Sequence, residues 1–136
     1  MNMEKLKELL VLHEGRKNRM YKCSAGFNTI GIGHNLDANG ISDRVIDLIF
    51  QDDINGVLDD LNKNLPWWRT MSENRQHVLI DMCFNMGIGV LLGFRNTLTA
   101  MEEGRYEDAA IGMGQSKWAS QVGNRATRLI EMMRKG

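Results

Sequence analysis

Glu14, Cys23 and Thr29 follow one another with eight and then five residues between them, and Thr29 opens the run Thr29-Ile30-Gly31-Ile32-Gly33-His34. A carboxyl group at the end of a helix, followed by a tight hairpin that returns a thiol and a hydroxyl toward it, is an arrangement suited to acid-assisted hydrolysis. The carboxyl can hand a proton to a departing oxygen, and the hydroxyl can position water or substrate. The thiol is the harder case. With a free value of ~8.5 it is mostly protonated at neutral pH unless a cation or a dipole depresses it. Cys23 is therefore read as a thiolate base, a covalent nucleophile or a lining residue, and its residue type leaves the three open.

These groups need elements to hold them. Leu6, Leu9, Leu10 and His13 recur at helical spacing and Gly15 supplies a C-cap, which predicts a helix over 3–14 with Glu14 at the negative end of its dipole. Met20–Lys22 and Asn28–Ile32, separated by Ser24-Ala25-Gly26-Phe27, predict a hairpin with Gly26 at positive φ, and 37–40 predicts a turn. Ser42 is the expected N-cap of a long helix whose apolar stripe runs Ile46, Ile49, Phe50, Ile54, Val57, Leu58, Leu61. Asp53 lies on that stripe and is expected to have a partner. Further helices are predicted over 72–86, 94–103, 106–116 and 124–134, so the chain reads as α+β and mostly helical.

A chain of 136 residues, 43% hydrophobic and a quarter charged, can bury one substantial core. The formal net charge of zero gives no global drive onto nucleic acid, although charge is segregated between an acidic stretch over 37–60 and a basic one over 115–136. The start of the chain is too short in apolar residues and too charged for a signal peptide or membrane span, so a cytoplasmic product with reduced Cys23 and Cys83 is expected. Cys83 and the methionines read as core. Trp67-Trp68 reads as a hydrophobic anchor ahead of a sugar-stacking platform. Gly31-Ile32-Gly33 is too short for a dinucleotide fingerprint, His13, His34 and His77 lack metal-ligand spacing, and no Gly-x-Ser-x-Gly elbow is present.

The run Glu14, Cys23, Thr29 and Gly31-Ile32-Gly33-His34 resembles the active-site segment of the phage-type lysozymes, the T-even endolysin family. Those enzymes carry Glu, then Asp (Cys in some members), then Thr at this spacing. Ile80-Asp81-Met82-Cys83-Phe84-Asn85-Met86-Gly87 with Gly93-Phe94-Arg95-Asn96-Thr97-Leu98 is similar to the family's central buried helix and the helix after it. Ser116-Lys117-Trp118 and Gly123-Asn124-Arg125-Ala126 are similar to its C-terminal active-site wall. The segment between His34 and Ile41 is shorter than in the family, so a trimmed small lobe is expected.

The resemblance implies a lysozyme-like fold: a small β-hairpin lobe (14–41), a connecting helix (42–62) and a helical lobe (63–136 with 1–13), with the active site in the cleft between. It implies Glu14 as general acid with Arg125 beside it, Phe84, Asn85 and Trp118 as substrate-binding or supporting residues, and a structural ion pair of His34 with Asp53. The implied activity is that of an endolysin N-acetylmuramidase cleaving the β-1,4 bond of peptidoglycan, monomeric, with no metal or organic cofactor, no nucleic acid partner and no membrane insertion. A holin would give it access to the wall. A lytic transglycosylase, or an inactive wall-binding or DNA-binding domain, are the alternatives.

Overall fold

The structure, a computed structural model, describes every residue from Met1 to Gly136. It is mostly helical with one three-stranded antiparallel sheet of order β1-β2-β3, an α+β protein as expected. The chain divides into two compact units, Met1–Ile49 and Phe50–Gly136.

The first unit begins with α1 (Met3–Glu14), capped by the Asn2 side chain, which accepts from the Lys5 N–H at 3.0 Å. Gly15, at φ 81°, ends α1 by donating to the Val11 carbonyl. β1 (Lys17–Lys22) starts three residues earlier than its apolar alternation predicts, because Lys17 pairs with Gly31 across an irregularity in register before Tyr21 meets Thr29. Between β1 and β2 (Asn28–Gly31), the Gly26 N–H closes a turn on the Cys23 carbonyl at 2.8 Å, and the Cys23 N–H bonds the Phe27 carbonyl at 3.0 Å. Gly26 takes φ 86°, as this three-residue loop requires. β3 (His34–Asn35) returns from the Gly31-Ile32-Gly33 turn and pairs Asn35 with Thr29. The expected turn over 37–40 is a single turn of helix, α2 (Leu36–Asn39), because Asn35 caps it through Ala38 and Gly40 closes it on Leu36. No apolar side chain of this unit is fully buried; Thr29, at 3% exposure, is the only buried residue in it.

α3 (Asp43–Asn64) begins in the first unit and ends in the second, with Ser42 as the N-cap through Val45. Its apolar stripe is buried only toward its end, at Leu61, whereas Ile46, Ile49 and Phe50 are about half exposed. The core of the second unit forms around α4 (Glu73–Met86), where Val78, Leu79, Met82 and Cys83 are buried among Leu61, Leu65, Trp68, Met101, Met113 and Met133. Trp68 is 1% exposed and its indole N–H donates to Asn62 at 2.8 Å, so it anchors the helix junction.

α6 (Arg95–Glu102), α7 (Tyr106–Gly114) and α9 (Asn124–Lys135) complete the second unit, α7 packing on both α6 and α9. Two short helices fall outside the expected elements: α5 (Ile88–Leu91) and α8 (Lys117–Val122). Both are shorter than two helical turns, too short to show a period. α8 is set instead by its ends, Ser116 accepting from Ala119 N–H at 3.1 Å and Gly123 turning at φ 58°.

Candidate active site

Glu14 is the last residue of α1, and its carboxyl is seated on Gly33 of the Gly-x-Gly-His turn. A Cβ at residue 33 would lie 2.7 Å from Glu14 Oε2 and 3.0 Å from both Cδ and Cγ. Gly33 also takes φ 63°, a region in which side chains are strained, so the position calls for glycine twice over. The Tyr21 hydroxyl, donating to the Glu14 carbonyl oxygen at 3.4 Å, ties β1 to the end of α1. Neither Gly33 nor Tyr21 is singled out by spacing as a support for the acid.

Cys23 and Thr29 meet across the hairpin. The Phe27 N–H, and next the Ala25 N–H, hold the Cys23 thiol below its ordinary value; the Thr29 hydroxyl and the Gly26 N–H add to this against a burial effect in the other direction. Backbone N–H groups near a sulfur stabilise its thiolate form relative to a free cysteine. The Thr29 hydroxyl also donates to the Phe27 carbonyl oxygen at 2.9 Å. A hydroxyl has one proton, so that donation and one to the thiolate alternate. Cys83, buried in α4, is displaced the opposite way, upward, by burial and then by the nearby Asp60 carboxylate.

His34 lies at the start of β3 with Nε2 2.5 Å from the Gly40 carbonyl oxygen. A carbonyl only accepts, so Nε2 carries the proton. Its partner in the first unit is thus backbone, and Asp53 is an exposed residue of α3 in the second.

In the second unit, Arg125 near the start of α9 is held by Asp81 of α4, with Nη2 at 2.7 Å and Nε at 2.8 Å from one carboxylate oxygen. Both side chains are about 40% exposed, so the pair fixes the guanidinium's direction more than it adds stability. Asp81 carries no periodic or motif signal that would mark it as this partner. Phe50, Ile54, His77 and Phe84 line a cavity of about 290 Å³ beside the pair. Asn85 and Trp118 are brought together: the indole N–H donates to Asn85 Oδ1 at 2.8 Å, and Phe94 meets the ring edge-on at 6.3 Å. Trp118 is 6% exposed, so it orients Asn85 and does not itself offer a face to ligand. Their cavity, about 460 Å³, shares Val90, Phe94 and Ser116 with a larger one of about 680 Å³ that continues past Asn96 and Gln115.

The family model for phage lysozymes matches residues 11–135. Probable T4-type lysozyme 1 of Dictyostelium discoideum is 28% identical over 161 aligned positions, covering 96% of this chain and 94% of that protein. Probable T4-type lysozyme 2 of the same organism is likewise 28% identical, again with 96% and 94% covered. The pre-baseplate central spike protein Gp5 of Enterobacteria phage T4 is 27% identical over 95% of this chain and 27% of its own length. Since 96% of 136 residues is about 131, the first alignment leaves about 30 positions of the relative without a counterpart here. The match over 11–135 takes in Glu14, Cys23, Thr29 and Arg125, and the chain belongs to the phage lysozyme family.

Proposed function

We propose that the chain is an endolysin-type N-acetylmuramidase hydrolysing the β-1,4 bond between N-acetylmuramic acid and N-acetylglucosamine. Its family makes it a glycoside hydrolase of the lysozyme kind, acting on peptidoglycan. The observation that carries the finer reading is the seating of the Glu14 carboxyl on Gly33, with the lowered Cys23 thiol and the Thr29 hydroxyl on the hairpin.

In this reading Glu14 gives its proton to the glycosidic oxygen as the bond from the anomeric carbon breaks. Water attacks that carbon from the opposite face and its proton passes to the Cys23 thiolate, with the Thr29 hydroxyl aligning the water. Solvent then returns the proton to Glu14. A base mechanism of this kind inverts the anomeric configuration, which NMR of the first-formed product reads directly. Arg125, Phe84, Asn85 and Trp118 serve as substrate-binding or supporting residues of the helical unit, and the joined cavities beside Asn85 suit an extended polymer.

Glu14→Gln tests the acid: the amide keeps the shape but has no proton to give. Such catalysis contributes roughly 10² or more, so activity below about a hundredth of the parent's is expected in turbidity assays on permeabilised Gram-negative cells. Retention of more than about a tenth sinks the role. The endolysin role predicts that intact producing cells lyse only when a holin or a permeabilising agent opens the inner membrane.

A lytic transglycosylase is the second reading, favoured by cysteine at the position where the family usually has aspartate, because that reaction needs the acid but no water-activating carboxylate. Mass spectrometry of digested wall separates the two, by reducing ends against 1,6-anhydro ends.

A further inference from the structure

We propose that Asp37 is a positioning residue for the catalytic hairpin: through Asn28 it fixes the backbone that carries Thr29 and Cys23. The inference rests on the assignment of those two residues to the reaction. Asp37 Oδ2 accepts from the Asn28 backbone N–H at 2.7 Å, and Oδ1 accepts from the Asn28 side-chain amide at 3.2 Å. One carboxylate thus grips a single residue at two points, with bonds strengthened by its charge.

The gripped residue is the pivot of the hairpin. Asn28 pairs with Lys22, the neighbour of Cys23, and precedes Thr29. Phe27, on its other side, accepts from the Cys23 N–H and from the Thr29 hydroxyl, and its own N–H leads the donors around the thiol. A restraint at Asn28 therefore lies one residue from Phe27, the largest influence on the sulfur and the acceptor of the Thr29 hydroxyl, and one from Thr29 itself.

Beyond the strand pairing, no apolar core in the unit reinforces that restraint. No apolar side chain there is fully buried, so hydrogen bonds and not a core must hold the geometry. Asp37 is itself fixed from behind: α2 is capped by Asn35 on Ala38, closed by Gly40 on Leu36, and braced where His34 Nε2–H meets the Gly40 carbonyl. A segment of one helical turn thus delivers a charged clamp to the strand bearing Thr29.

The test measures Asp37→Ala and Asp37→Asn for kcat, KM, melting, and the pH dependence of Cys23 alkylation by iodoacetamide, followed on the Cys23 peptide by mass spectrometry. Asp37→Ala is expected to lower kcat roughly 10- to 100-fold with KM within about twofold, as misplacement of reacting groups does. Its alkylation midpoint should rise toward that of a free thiol. Asp37→Asn keeps an oxygen for the Asn28 N–H and should recover most of both. An alkylation profile identical to the parent's in folded Asp37→Ala overturns the inference, as does an activity loss that only tracks the folded fraction. Should the alanine variant not fold, Asn28→Ala removes the side-chain half of the clamp: a smaller midpoint shift in the same direction supports the inference and none overturns it. Alkylation reads the hairpin without catalysis, so an active Glu14→Gln would end the catalytic assignment and leave this readout standing.

Discussion

Gly33→Ala separates what the fold needs from what the acid needs. The added Cβ would lie 2.7 Å from Glu14 Oε2, against a comfortable separation of about 3.5 Å, so something must yield by about 0.8 Å. The atoms it meets are the far end of a flexible side chain, and the carboxyl will move before the backbone does. The stability cost is then mainly that of a side chain at φ 63°, about 1–2 kcal/mol. A domain with about 5 kcal/mol of stability keeps about 3 after that loss and stays about 99% folded, so unfolding cannot account for a large drop in activity. Displacing the proton donor by most of an ångström can cost up to about 100-fold in rate, and a loss of 10- to 100-fold in kcat is expected. Gly31→Ala is the control: its φ is 69°, yet nothing lies within 4 Å of the added Cβ. It should show a similar fall in melting temperature with most of kcat retained. Turbidity assays beside thermal unfolding of both variants decide the matter. If Gly33→Ala keeps kcat within about twofold of Gly31→Ala, the seat under Glu14 has no catalytic meaning.

The two thiols should part in alkylation, Cys23 reacting with a midpoint below that of a free thiol and Cys83 staying unmodified in the folded protein. Substrate should protect Cys23, Cys23→Asp should stay active, and Cys23→Ala lysing at the parental rate would falsify its role. The same displacements set opposite pH dependences of stability. The depressed Cys23 contributes above its unfolded value and loses that contribution as pH falls through the folded one, while the raised Cys83 contributes below its unfolded value and loses it as pH rises through the folded one. Alkaline destabilisation should therefore be milder in Cys83→Ala, and an equal loss in both proteins refutes the assignment. Arg75 donates to the Met133 carbonyl at 2.8 Å and the Arg134 carbonyl at 3.1 Å and lies 3.5 Å above the Tyr106 ring. Arg75→Ala leaves those end carbonyls of α9 unpaired and should cost about 2 kcal/mol in denaturant unfolding, with a cost under about 0.5 kcal/mol counting against it. The proposed pair of His34 with Asp53 is tested by the His34 ring resonances: Asp53→Asn should shift them, and unchanged spectra mean the two residues do not meet.

Where a residue's type and its neighbours in sequence decide its structure, the sequence was legible. Gly15 closes α1 and Ser42 opens α3 by local chemistry, and Gly26 takes the turn between β1 and β2. Cys83, read as core from its residue type, is buried in α4 beside Val78, Leu79 and Met82. Apolar spacing misleads on the first half of α3, whose stripe includes Ile46 and Ile49 in a unit that has no apolar core to receive them. Periodicity shows which face could be buried, and only the tertiary partner determines whether it is.

The candidate site divides along the same line. Cys23 and Thr29 are candidates that spacing can pick out, because a hairpin converts a fixed interval into proximity across two strands, and Glu14 is one because a helix end is marked by its cap. Gly33 beneath the acid, Asp81 on Arg125 and Asp37 on Asn28 are found only in three dimensions, since each acts through one contact set by how separate elements dock. A lone aspartate in a polar turn looks like solvated charge in any sequence. The Cys23 thiol makes the same point: its residue type leaves thiolate base, nucleophile and lining residue open, and its lowering, chiefly by the Phe27 and Ala25 N–H groups, follows from the turn and not from the spacing. The hairpin that brings Cys23 near Thr29 also supplies the N–H groups that lower the thiol, so one local turn sets both its neighbour and its acidity.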